Sequence, residues 1–207
     1  VAVISPFHNL AHQPLLTTAH SAYATPLGQI PTDKESLLAL DEALKPELGF
    51  GLSPVLRDRE HSLEIELPFL QRALAGDFKL LPVMVRAQEP EVARGLGLAL
   101  ANVLKEKNAL LVASTDLSHF YDQKTANAFD AEMLKRIESF QPERIFEAEY
   151  TGKGFACGHA AVAAVLWASR ELGADKVQIL HHATSGDVTG DFEQVVGYGA
   201  AAVLKTR

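Results

Sequence analysis

The sequence is poor in cysteine, with one thiol in 207 residues, and a single cysteine closes no disulfide within the chain. Cys157 is then either a small buried side chain or a ligand or nucleophile. An excess of positive charge is missing too. The 19 Lys and Arg stand against 26 Asp and Glu, for a net charge of -7 and a pI near 5.6, and no stretch clusters the basic residues. That composition gives no footprint for a phosphate backbone, so nucleic acid is not an expected partner. No apolar run approaches the roughly 20 residues needed to cross a bilayer, and nothing resembles a charged-then-apolar secretory leader. A soluble, cytoplasmic protein without a membrane partner is expected. An initiating methionine is also absent: Val1-Ala2-Val3-Ile4-Ser5 already reads as a buried strand, so the sequence is expected to begin inside a fold.

What is present suits one domain over residues 1–207, since 47% of the residues are hydrophobic, enough for a single large core. After the opening strand, a turn-rich loop carries His8 and His12, and Thr17 to Thr25 has short-strand character. Asp33 reads as the cap of a helix, because Leu37, Leu38, Leu40, Ala43 and Leu44 recur at near-helical spacing. Gly49, Gly51, Ser53 and Pro54 read as a loop. Ser62 is placed to cap a helix from Leu63 to Ala75, where Pro68 argues against a central strand. Strands are expected at Phe78–Val85, Ala109–Ser114, Lys176–Leu180 and Gln194–Leu204. Helices are expected at about 90–105, 124–139, 142–149 and 159–172. Strands alternating with helices indicate an α/β protein, most economically a three-layer α/β/α sandwich.

The chemistry concentrates where the apolar run Ala109–Ala113 feeds into Ser114-Thr115-Asp116-Leu117-Ser118-His119-Phe120. In open α/β sheets ligands collect outside the carboxyl ends of strands, so Asp116 and His119 are released where they can act on something. The structural alternative is a loop in which Asp116 caps the next helix and His119 packs on Phe120 and Tyr121. His8, His61 and the pair Cys157 with His159 sit at other apparent element boundaries. Imidazole, thiolate and carboxylate are the donors that borderline transition metals take. No two of them have the tight spacing of a zinc finger, so any site must be assembled from distant segments.

Glu60-His61-Ser62-Leu63-Glu64-Ile65-Glu66-Leu67-Pro68-Phe69-Leu70, Leu81-Pro82-Val83-Met84-Val85, Ser114-Thr115-Asp116-Leu117-Ser118-His119 and Ala156-Cys157-Gly158 follow in an order and spacing that resembles the MEMO-like family. That family is also called AmmeMemoRadiSam system protein B, and its fold is similar to class III extradiol dioxygenases of the LigB type. The resemblance runs from about Ser5 to the last strand and implies a mixed central sheet. It implies that His8, in Ser5-Pro6-Phe7-His8, and Cys157 are metal ligands. It also implies that His119 is an acid-base histidine with Asp116 beside it. Glu60, His61, His159 and Ser185 are expected as further pocket residues, His159 being either an extra ligand or a helix-start residue. Relatives carry an upstream Pro-His-Ala-Gly-Tyr segment with another histidine ligand; no such segment occurs here, and its place would precede Val1.

The expected cofactor is an iron or copper ion, with zinc also compatible, because a soft thiolate with imidazoles suits these better than magnesium or calcium. The resemblance implies a redox or dioxygenase-like activity, although a metal-bound sulfur is itself oxidisable. The alternative is a non-catalytic module that recognises a peptide or small anionic ligand in the same cleft. The family's composite name suggests a radical-SAM system partner.

Overall fold

The computed structural model describes residues 1–206. Its central sheet has five strands in the order β5 (Ser53–Val55), β2 (Leu15–Thr18), β6 (Leu81–Val85), β1 (Ala2–Pro6) and β7 (Leu111–Ala113). β1 runs parallel to β6 and β7, and β2 runs parallel to β5 but antiparallel to β6, so the sheet is mixed. Successive side chains on a strand point to opposite faces, and both faces are buried here. Ala2, Ile4, Leu15, Leu81, Val83 and Val85 pack on one side; Val3, Leu16 and Met84 pack on the other. Burial on both faces explains why β1 and β6 read as continuous apolar runs.

The first face is covered by α1 (Lys34–Leu48), α3 (Pro90–Leu104) and α6 (His159–Glu171). Asp33 caps α1 as its sequence predicts, its carboxylate accepting from the Ser36 N–H at 3.1 Å, and Gly49 ends the helix in the left-handed region at φ 78°. α3 and α6 meet at Gly97, where a Cβ would stand 2.7 Å from both the Ala164 carbonyl oxygen and the Trp167 Cβ. The second face is covered by α2 (Leu67–Ala73), the 3₁₀ turn before it, and a hairpin of β3 (Ala22–Thr25) and β4 (Gly28–Pro31), through Ile30, Leu63 and Leu67. The result is a three-layer α/β arrangement. None of the described helices is long and apolar enough to cross a membrane.

Several local readings change. Thr17–Thr25 is two strands in different sheets, broken at His20-Ser21. Ser53–Val55 is an edge strand of three residues, too short for a period to be visible in the sequence. Ser62 caps nothing: its hydroxyl donates to the Pro6 carbonyl at 2.8 Å, and the segment beyond it is a 3₁₀ turn at Glu64–Glu66 that passes into α2. Pro68 sits in the first turn of α2, where its missing N–H costs no helical bond.

A second, antiparallel sheet has the order β8 (His119–Tyr121), β10 (Val195–Leu204) and β9 (Lys176–Thr184). β9 runs through His181 and His182, which the sequence places in a loop after Leu180, and the single turn α7 (Gly186–Thr189) replaces the polar turn beyond it. β10 meets the loop after β7 at Gly197, whose carbonyl accepts from Leu117 N at 2.9 Å and whose N–H donates to the Ser118 carbonyl at 2.8 Å. Behind Gly197 lies Asp130 of α4 (Gln123–Glu138), fully buried. Its carboxylate accepts from Ser118 N at 2.9 Å and from His182 Nε2 at 2.8 Å. A Cβ on residue 197 would collide with that carboxylate. Gly197→Ala should therefore destabilise the protein by about 2–4 kcal/mol, combining overpacking with a displaced buried acceptor. Urea unfolding checks this, and a variant as stable as the parent would show that the Asp130 fastening is dispensable.

Candidate metal-binding cleft

β7 ends at Ala113, and the next five residues turn out of the sheet toward β8. Ser114 anchors the turn, donating its N–H to the Ile4 carbonyl and its hydroxyl to the Ser62 carbonyl at 2.6 Å. The loop before α6 folds back onto it. Cys157 N donates to the Asp116 carbonyl at 3.1 Å, Asp116 N donates to Cys157 Sγ at 3.2 Å, and Gly158 N donates to Thr115 Oγ1 at 2.8 Å. Gly158 is required by closeness, because a Cβ there would collide with the Ser114 carbonyl oxygen.

This reciprocal clasp brings Asp116, His119 and Cys157 together, with one donor atom from each lying within 4.8 Å of the others. His119 Nε2 is 3.5 Å from Asp116 Oδ2 yet is buried without a hydrogen-bond partner. Donors bind a transition metal at about 2.0–2.3 Å, so the ligand atoms of one site stand a few ångströms apart, as these do. An orphaned imidazole nitrogen between a carboxylate and a sulfur fits a cation. Burial pushes the Cys157 thiol up, and the neighbouring Asp116 charge adds to this, outweighing the donation from Asp116 N and the contact with Thr115. Without a cation the sulfur is therefore a thiol at neutral pH. Binding of a metal would displace its proton.

The trio sits at the side of an open cleft of 410 Å³, at the carboxyl ends of β1, β6 and β7. His8, His119, Cys157 and His159 all line it. His8 lies outside the close trio. Its backbone N–H donates to Glu60 Oε2 at 2.5 Å and its Nδ1 lies 3.1 Å from Glu60 Oε1. Glu60 also accepts from His61 N at 2.9 Å and Ser62 N at 3.0 Å, with its side chain only 1% exposed. Burial opposes its charge, but these donors prevail and hold its pKa down at about 2. His61 is not a lining residue; its exposed ring stacks on His8 with centroids 6.1 Å apart.

His159 opens α6 with Nδ1 3.1 Å from the Ala156 carbonyl oxygen and 3.5 Å from Glu149 Oε1. Ser185 is outside the lining and is used structurally, its hydroxyl accepting from Val196 N at 3.0 Å. His12 and His20 are exposed. The sequence reading missed three residues here. Glu149, on α5 (Glu143–Tyr150), accepts from Ala156 N at 2.6 Å and lines the cleft. Gln88, three residues beyond β6, lines it with a buried Oε1 that has no partner. Glu66 is half-buried beside Ser114, and burial together with the Asp116 charge raises its pKa. A strand-end position is the one signal that could have singled out Gln88; Glu149 reads as an ordinary helix-surface residue. Beside the site, Phe120 holds φ 64°, a conformation bulky residues rarely take, and its exposed ring tilts against His119 at 5.5 Å.

A larger cavity of 630 Å³ lies between β7 and β10, lined by aliphatic residues such as Leu111, Leu134, Val162 and Val203. It offers no thiol, imidazole or carboxylate. The thiol and imidazole side chains line the smaller cleft.

Fold and cleft together define an α/β protein with a mixed sheet and a group of Asp, His and Cys donors assembled at its strand ends. The comparisons with known proteins agree on what kind this is. The family described as Memo-like protein matches residues 1–202, and the chain belongs to that family. A protein of Nitrosopumilus maritimus named "MEMO1 family protein" is 34% identical over 200 residues, covering 97% of this chain and 72% of the relative. One of the same name from Thermotoga neapolitana is 37% identical over 202 residues, covering 97% and 70%. A third, from Thermotoga maritima, is 35% identical over 206 residues, covering 99% and 71%.

Proposed function

We propose that this protein binds one iron or copper ion through Cys157, His119 and Asp116, with His8 as a further donor from across the cleft, and that it has a redox or dioxygenase-like activity. The observation that carries the reading is the buried, unpartnered His119 Nε2 between the Asp116 carboxylate and the Cys157 sulfur. The donor chemistry narrows the metal: thiolate and imidazole favour iron(II), copper(I) or zinc over magnesium or calcium. Of these, iron and copper supply one-electron chemistry when bound.

The chain's own residues do the rest. Asp116 and Cys157 are fixed by their mutual backbone contacts, so the donors are held before a ligand arrives. Glu60 holds His8 through its Nδ1 and its backbone N–H together. A carboxylate behind a histidine ligand sets its tautomer and raises its basicity. With Nε2 of His119 given to the metal, His119 is a ligand in this reading and not the acid-base residue that the resemblance implies, because the nitrogen beside Asp116 that would carry the proton is the one that holds the cation.

Anaerobic titration with iron(II), copper(I) and the spectroscopic stand-in cobalt(II) tests the reading. One equivalent is expected to bind, with thiolate-to-metal charge transfer in the absorption spectrum. Failure to bind any of the three stoichiometrically would end it.

A further inference from the structure

The wall of the cleft beyond the donor trio is made to accept hydrogen bonds. At His159, Nδ1 faces the Ala156 carbonyl oxygen at 3.1 Å, which can only accept, so the ring proton of the neutral imidazole is on Nδ1 and Nε2 keeps its lone pair. Gln88 brings a buried Oε1 without a donor to the same cleft. Buried acceptors in native proteins are almost always paired, so an unpaired one in a cleft marks the place of an absent donor. Glu149 adds a carboxylate. Beyond the imidazoles and the Cys157 thiol, the lining donors are the Tyr121 hydroxyl and the Gln88 amide, and among the described residues no Lys or Arg lines the cleft. Arg86, two residues before Gln88, is not part of the lining.

The remaining wall is aromatic. Tyr121 stacks on Phe155 with centroids 5.9 Å apart and planes 18° apart, and Phe129 abuts both edge-on at 5.0 Å. Such faces attract cations and the flat faces of rings. Away from the donor trio, an anion would enter against the Glu149 carboxylate with no guanidinium or ammonium beside it, an unfavourable placement for a charge leaving water.

The geometry points to a small neutral or cationic ligand that brings its own hydroxyl or ammonium hydrogens, in preference to a phosphate- or carboxylate-bearing one. The inference rests on reading the Cys157 cleft as the functional site and names the ligand class that site takes. It departs from the expectation of a peptide or small anionic ligand.

Two probes of the same ring size separate the classes: tyramine, with a phenol and an ammonium, and phenyl phosphate. Long-range proton–nitrogen spectra of the ¹⁵N-labelled protein at about pH 8, above the ordinary imidazole range, report which ring nitrogen of His159 carries hydrogen and which groups respond. The expected result is an Nδ1–H tautomer at His159, with tyramine shifting the signals of His159 and the Gln88 amide while phenyl phosphate at the same concentration leaves them in place. Gln88→Leu should weaken tyramine about tenfold, with the backbone spectrum away from the cleft unchanged. Phenyl phosphate binding as well as tyramine, an Nε2–H tautomer at His159, or no response to either probe would overturn the inference. Cobalt titration reports on the metal separately: a protein that takes tyramine and no cobalt refutes the metal reading alone, and one that takes cobalt and prefers phenyl phosphate refutes the ligand class alone.

Discussion

Cys157→Ser should weaken binding of iron(II), copper(I) or cobalt(II) by about 100-fold or more, beyond the roughly 10–100-fold that loss of an outer partner costs a metal site. The thiol is the only soft donor of its kind in the chain, and it is the atom that makes the site selective for these metals over magnesium and calcium. Serine keeps the shape and can accept from Asp116 N as the sulfur does, so the fold should survive. The hydroxyl, however, does not ionise under conditions where a metal displaces the proton of a thiol. Competition titration against a coloured chelator gives the affinity, and urea unfolding of the metal-free proteins gives the control. A serine variant of undiminished affinity would move the site away from residue 157.

Glu60→Gln should cost on the order of 3 kcal/mol at neutral pH, because the carboxyl pKa is held at about 2 in place of its ordinary 4.5. Burial works against the charge, and the donor set outweighs it. Three backbone N–H groups and the His8 ring point at this carboxylate, and a glutamine NH₂ would face a donor instead of accepting from one. The sign with pH follows from the direction of the shift. Because the folded pKa is depressed from 4.5 to about 2, the charge contributes fully above 4.5, and its contribution is lost as pH falls toward 2. The stability curves of the parent and the E60Q variant should therefore lie furthest apart at neutral pH and converge below pH 4.5. Curves that stay parallel through that whole acid range would show that Glu60 is not held as its contacts indicate.

Much of this was legible in the residues. The alternation of apolar runs with helical periods gives the α/β class because each element must bury one face. The run Ala109–Ala113 locates a strand end, and the acid and imidazole beyond it stand where ligands collect. Cys157 was a candidate through its chemistry. The local misreadings have local causes. A three-residue edge strand has no period to detect, and Ser62 looked like a cap while its hydroxyl was needed by the Pro6 carbonyl. His181 and His182 looked like a loop beside polar residues, yet pairing with β10 carries β9 through them, and His182 reaches the buried Asp130.

By itself, then, the sequence determined the class of fold, the strand end that bears the candidate site, and the supply of donors, because periodicity and side-chain chemistry are written residue by residue. Only the tertiary structure decided which donors meet. Asp116 and Cys157 are 41 residues apart and clasp each other, His8 and Glu60 are 52 apart, and Gln88 and Glu149 enter the cleft from positions outside the quoted motifs. Those pairings are made by packing between segments whose separation along the chain says nothing about their distance in space.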